Sequence, residues 1–248
     1  MLRINVSNLM ENNFIYLDNA STTPLSENVL NIINSTYRNY WHNPSSTYEL
    51  GIKCSTYLEN IRSNIAYIFE ADPEDIIFTS GSSESTNIVF NNIYENFKSG
   101  RVVISNVEHQ ATTICANKLR KQNWDIYEWT VNNDGILNIS NIEKILNNGT
   151  KLVSIIWGQS EIGTIQPVQF IGSKCEELNI MFHLDGTQIL SNGIFSWKDL
   201  NCDFLSLSAH KFGGPKGIGI LLTKEKSRHI LKNKDISLTQ EFSIRQGT

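Results

Sequence analysis

The run Ser-Leu-Ser-Ala-His-Lys-Phe-Gly-Gly-Pro-Lys-Gly at 206 to 217 places Lys211 where an apolar, β-prone segment gives way to a glycine-proline turn. A lysine there has three possible roles: its amine can snorkel to solvent, bind a phosphate, or form a Schiff base with a carbonyl cofactor. The third role needs a neutral amine, and a free lysine with a pKa near ~10.4 is protonated unless desolvation or neighbouring cations lower that value. Lys216, past the turn between Pro215 and Gly217, reads as a solvent-facing or rim lysine.

Other polar residues stand at comparable places, just beyond short β-rich runs. These are Gly81-Ser82-Ser83-Glu84, Asn106-Val107-Glu108-His109, Gly158-Gln159-Ser160-Glu161, Asp185-Gly186-Thr187-Gln188 and Ala209-His210-Lys211. A Gly-Ser-Ser turn opening a helix can cradle a phosphate, because glycine admits close backbone approach and the first helical N–H groups face the anion. The alternative is an ordinary N-cap by Ser82 or Ser83. His109 is either a satisfied structural histidine or a ring that stacks on a planar heterocycle and moves protons near neutrality. Asp185 closes the run Met181-Phe-His-Leu184, where a carboxylate is costly without a cationic partner such as a pyridinium nitrogen. Its alternative is an N-cap for the stretch beginning Gly186-Thr187. Hydroxyls for a phosphate, a ring for stacking, a carboxylate for a ring nitrogen and a lysine for an aldehyde together match the demands of pyridoxal 5'-phosphate.

The elements that must position these residues alternate in kind. Strands are expected at 76 to 80, 101 to 105, 124 to 129, 151 to 157, 180 to 185, 203 to 208 and 217 to 222, several of them apolar on both faces. Helices are expected at 26 to 40, 53 to 69, 83 to 97, 109 to 122 and 168 to 178. This is the pattern of an α/β fold, a mainly parallel sheet between helix layers, whose ligands bind at the carboxyl ends of the strands.

Composition narrows the class. With 248 residues, 40% of them hydrophobic, the chain can bury one large core, and a net charge of −4 offers no broad attraction for nucleic acid. No stretch approaches the ~20 apolar residues of a membrane span, and the N-terminus lacks a secretory signal, so a cytoplasmic protein is expected. Cys54, Cys115, Cys175 and Cys202 are widely spaced, which suggests small buried hydrophobes and neither a disulfide framework nor a metal site.

The ordered motifs Phe14-Ile-Tyr-Leu-Asp-Asn-Ala-Ser-Thr-Thr-Pro24, Asn43-Pro-Ser-Ser46, Thr79-Ser-Gly-Ser-Ser-Glu-Ser-Thr-Asn87, Glu108-His109, Asp185-Gly-Thr-Gln188 and Ser208-Ala-His-Lys211 resemble the class V aminotransferase-fold cysteine desulfurases of the NifS and IscS type. The resemblance runs over residues 14 to 248. It implies a cofactor-binding large domain at 16 to 248 behind an N-terminal segment at 1 to 15, with the family's small C-terminal domain absent. It implies that Lys211 carries the cofactor, that His109 stacks on the ring and assists proton transfer, that Asp185 pairs with the pyridine nitrogen, and that Gln188 contacts the phenolic oxygen. Ser82 and Ser83, with Ser208 and His210, fall in the implied phosphate-binding set. The stretch 240 to 248 is similar to a family loop whose threonine reaches the cofactor phosphate of the partner subunit, making Thr248 a candidate in trans and a homodimer the expected assembly.

The sequence also departs from the family. The cysteine nucleophile and the arginine that clamps the substrate carboxylate have no counterpart here, Ser160 replaces a ring-contacting asparagine, and Tyr48 replaces a histidine. The expected function is a cysteine desulfurase acting on L-cysteine, with a truncated chain or a separately encoded small domain and a sulfur-acceptor protein as partner. Selenocysteine lysis, transamination, or a non-catalytic dimerisation or docking module are the alternatives.

Overall fold

The computed structural model describes residues 15 to 147 and 149 to 231. All seven expected strands form, with ends shifted by at most two residues: β1 Ile76–Thr79, β2 Arg101–Ser105, β3 Asp125–Trp129, β4 Thr150–Ile156, β5 Met181–Asp185, β6 Phe204–Ser208 and β7 Gly219–Thr223. They make one sheet in the order β1-β7-β6-β5-β4-β2-β3. β7 alone runs against the rest, pairing antiparallel with both β1 and β6.

The helices are α1 Glu27–Asn39, α2 Glu49–Phe69, α3 Ser82–Asn96, α4 Gln110–Arg120, the single turn α5 Ile142–Ile145, and α6 Val168–Glu177. Sheet side chains alternate between two buried faces, as period-two strands between helix layers must. On one face Val102, Ile104, Leu152, Phe204 and Leu221 pack against Val89, Phe90 and Ile93 of α3 and Cys115 of α4. On the other, Val103, Val153, Ile155, Phe182 and Leu184 meet Phe69 of α2, Ile145 of α5, and Ile171 and Cys175 of α6.

This layering fixes a switch point. From β2 the chain moves outward to β3 through α4 on one face; from β4 it moves the opposite way to β5 through α6 on the other. The carboxyl ends of β2 and β4 therefore diverge, and a crevice opens between them.

Helix α2 begins at Glu49, earlier than the expected Lys53, because Gly51 is a contact residue and not a breaker. A Cβ at Gly51 would come within 2.3 Å of the Ser46 carbonyl oxygen, so only glycine lets this turn seat against the preceding loop. Helix α1 starts at an N-cap, Ser26, whose hydroxyl accepts from Val29 N, yet it buries none of its residues. With Ile32, Tyr37, Trp41, Ile52 and Tyr67 more than half exposed, α1, α2 and the loop between them carry apolar side chains on the surface of the described residues. All four cysteines are buried and unpaired. No helix among the described residues is long and apolar enough to cross a membrane.

Candidate functional site

A cavity of about 690 Å³ opens at the carboxyl ends of the strands. Eight of the nine residues singled out from the sequence line it: Ser82, Ser83, His109, Asp185, Gln188, Ser208, His210 and Lys211. The ninth, Thr248, lies outside the described residues. Lys216 also lines the cavity, which gives it a rim position.

The Gly81 turn begins the cradle. The N-cap of α3 is Gly81 itself, with no side-chain cap, which corrects the N-cap reading of Ser82 and Ser83: both are helical residues of the first turn. Gly81 has φ +151, a backbone conformation open to glycine. A Cβ on it would stand 3.5 Å from Ser208 Oγ, and a Cβ on Gly219 would meet Gly81 Cα at 2.5 Å, so β7 and the turn are packed backbone to backbone. The turn thereby presents the N–H groups of the helix start, the Ser82 and Ser83 hydroxyls and the nearby Ser208 hydroxyl at one end of the cavity. That donor set suits a phosphate.

His109 combines both roles considered for it. It is the N-cap of α4, with Nδ1 accepting from Ala111 N at 3.2 Å, and it also lines the cavity. Asp185 is 2% exposed at the end of β5 and accepts on Oδ1 from Thr187 N at 3.0 Å and from the Thr187 hydroxyl. The helix-capping alternative fails in its original form: the short 3-10 turn that follows, Ile189–Asn192, is entered at Gln188.

Lys211 ends the short 3-10 turn Ala209–Lys211 that follows β6, and Nζ donates to the Ala20 and Ser21 carbonyls at 2.6 and 3.0 Å. Burial lowers its pKa below the ordinary lysine value, while Asp185, Asp18 and Glu161 act in the opposite direction. Burial also lowers His210, with help from Lys211 and Lys216.

Two features went unread in the sequence. The first is a strap at 18 to 23 laid across the lysine. Thr23 N and Oγ1 donate to the His210 carbonyl at 2.8 and 3.0 Å, and Gln188 Nε2 donates to the Ala20 carbonyl at 2.7 Å. Its signal was the Asp18-to-Thr23 motif itself, which gave no hint of a partner some 190 positions away. The second is Glu108, beside His109, whose carboxyl is buried beneath the cavity wall. It accepts from Ser105 Oγ at 2.5 Å and Ile156 N at 2.7 Å. Burial, with a further contribution from Asp185, pushes its pKa up to about 8 against the lowering effect of these hydrogen bonds.

Chemically, the cavity offers an anion cradle at one end, a buried carboxylate, an imidazole at the wall and an amine of lowered basicity. A phosphorylated aromatic aldehyde fits this set. Among the described residues no group of three or more histidine, cysteine, aspartate or glutamate side chains is placed to hold a metal ion.

Comparison with known proteins agrees with this fold. The family model described as aminotransferase class-V matches residues 15 to 237. The mitochondrial cysteine desulfurase of Saccharomyces cerevisiae is 33% identical over 237 residues, covering 94% of this chain and 48% of that protein. Cysteine desulfurase IscS of Clostridium botulinum is 35% identical over 215 residues, covering 86% of this chain and 54% of that one. The chain thus spans about half the length of the curated relatives it matches. Among solved structures, a NifS-like protein superposes with a TM-score of 0.82 at 31% identity, covering 85% of this chain and 59% of its own. A structure titled SspA in complex with cysteine gives 0.85 at 30% identity, with 95% and 68% covered.

Proposed function

Because this chain belongs to the class V aminotransferase family, we propose that it is the cofactor-binding part of a pyridoxal 5'-phosphate-dependent cysteine desulfurase. Its substrate is L-cysteine and its products are alanine and sulfur carried as a persulfide. The observation that carries this reading is the convergence of Lys211, Asp185, His109 and the Gly81 turn on one cavity, each from the end of a different strand.

The residues take the following parts. Lys211 would hold the cofactor covalently and, once displaced by the substrate amine, would supply an amine of lowered basicity as the base. The first turn of α3, with Ser82, Ser83, Ser208 and His210, binds the phosphate. Asp185 holds its charge against the pyridine nitrogen, and Gln188 reaches the phenolic oxygen. When bound, the cofactor supplies the electron sink that makes the α-proton of the amino acid acidic. His109 orients the ring; because Nδ1 accepts from Ala111 N, the neutral imidazole carries its proton on Nε2, the atom able to donate a hydrogen bond to a reacting group and so assist proton transfer.

None of Cys54, Cys115, Cys175 and Cys202 serves as the thiol that takes the sulfur. All four cysteines are buried, and burial raises the pKa of Cys115, Cys175 and Cys202, which opposes thiolate formation. A homodimer in the cytoplasm, with a sulfur-acceptor protein as partner, completes the proposal; the apolar side chains exposed on α1 and α2 support association. The test is alanine and sulfide release from cysteine by the cofactor-loaded chain, with an added thiol as acceptor. Release that depends on the thiol is expected; cofactor binding without any cysteine turnover would overturn the desulfurase assignment.

A further inference from the structure

We propose that Glu108 is a positioning residue whose carboxyl bridges the crevice between β2 and β4 and so sets His109 in the cavity wall. This rests on the cofactor reading above only for what His109 is set against.

The pairing of β2 with β4 runs from Arg101↔Thr150 to Ile104↔Ser154 and then stops. β2 ends at Ser105 and turns away into α4, while β4 continues to Ile156, which is paired on its other side with Asp185 of β5. Successive N–H groups of a strand alternate between its two neighbours. Trp157 N donates to the Asp185 carbonyl at 2.9 Å, so Ile156 N points the other way, toward a strand that is no longer there. A buried N–H in that position requires a partner.

Glu108 Oε1 is that partner. It takes the Ile156 N–H at 2.7 Å and the Ser105 hydroxyl at 2.5 Å, replacing the lost ladder bond and joining the last residues of the two diverging strands. Both bonds end on Oε1, while Oε2 is buried without a hydrogen-bond partner. The proton of the neutral acid therefore belongs on Oε2. In that form the side chain bridges the crevice without a second negative charge near Asp185, whose field acts on it. The next residue in the chain is His109, which starts α4 and lines the cavity. With Glu108 tied to β4, the backbone that carries the imidazole is pinned to the cavity floor at Ile156.

The test is performed on the full 248-residue chain. Long-range proton–nitrogen spectra resolve its five imidazoles, with His109 assigned by His109→Gln, and titration of absorbance gives pyridoxal phosphate affinity. Glu108→Ala is expected to move or broaden the His109 signal and to weaken cofactor affinity on the order of tenfold, the effect of one stranded buried N–H. Glu108→Gln keeps an oxygen that accepts both bonds and is expected to hold the signal and the affinity at their wild-type values. An unmoved His109 signal in Glu108→Ala overturns the proposal, as does a Gln variant as impaired as the Ala variant. Should Glu108→Ala not fold, Ser105→Ala removes one donor to Oε1 and is expected to shift the same signal by less; no shift overturns the proposal equally. A wild-type chain that fails to bind the cofactor would reject the cofactor reading and leave the His109 signal to decide the bridge.

Discussion

Buried carboxylates sit at both ends of this sheet, and they are treated differently. At the amino ends, before β1 and β6, Asp75 accepts from Trp197 Nε1 at 3.1 Å on one oxygen and from Arg228 Nη2 at 2.7 Å on the other. Asp203 likewise accepts from Phe182 N at 2.8 Å on one oxygen and from the Ser227 hydroxyl on the other, with Lys226 Nζ 3.6 Å away. At the carboxyl ends, Glu108 and Asp185 each use a single oxygen for the hydrogen bonds they accept. Carboxylates satisfied on both oxygens hold chain segments together. Carboxyls with one oxygen left over belong to a site whose charges are set for a ligand.

The sharpest way to break this comparison is to remove a cation from the amino end. Arg228→Ala strands the buried Asp75, and chemical denaturation should show a loss of about 3 to 5 kcal/mol with cofactor affinity unchanged. A loss below 1 kcal/mol, or a weakened cofactor, would erase the distinction.

A pH profile of stability comes next. The folded pKa of Glu108 is raised to about 8, so the folded state binds the extra proton: the contribution is complete below the unfolded value of 4.5 and is lost as pH rises to 8. His183 has the opposite sign. Bonded at 2.8 Å to both Ser154 Oγ and Ser206 Oγ, it is lowered to about 3 by burial, so its contribution is complete above 6.5 and is lost as pH falls toward 3. Stability should therefore rise from pH 3, level off between 4.5 and 6.5 where the two trends oppose, and decline toward 8. Glu108→Gln should remove only the decline; a decline that persists would assign it to another group.

Smaller effects are expected from two further changes. Asp185→Asn should weaken cofactor binding by roughly tenfold to a hundredfold, the value of one charge-assisted hydrogen bond, while unfolding free energy shifts by less than about 1 kcal/mol. Equal binding in calorimetry would remove Asp185 from the site. Arg120→Ala breaks an exposed pair with Glu128 at 2.8 Å and should cost less than about 0.5 kcal/mol; a larger thermal shift would mean that surface charge matters as much as the sheet ends do.

The same contrast explains what the sequence made legible. Strand ends were readable because runs such as Val102 to Ile104 and Phe204 to Leu207 are apolar on both faces and stop abruptly at polar residues. Lys211, Asp185 and His109 follow directly from those endings. Pairings that depend on distant chain were not readable: the Ala20 carbonyl on Lys211, Arg228 on Asp75, and the antiparallel course of β7. Glu108 was visible as a residue type but not as a bridge, since its partner Ile156 N becomes unpaired only where β2 and β4 part. The start of α2 was misread because Gly51 follows the rule for a helix breaker until its contact with Ser46 is known.

The central claim is that Lys211 is the covalent carrier of pyridoxal phosphate, and Lys216, also lining the cavity, is its natural competitor. The direct measurement is borohydride reduction of the cofactor-loaded chain followed by peptide mass mapping. The account predicts the added mass on the Lys211 peptide, together with a visible absorbance band that Lys211→Ala abolishes. The same mass on Lys216, or a band that survives Lys211→Ala unchanged, would contradict it.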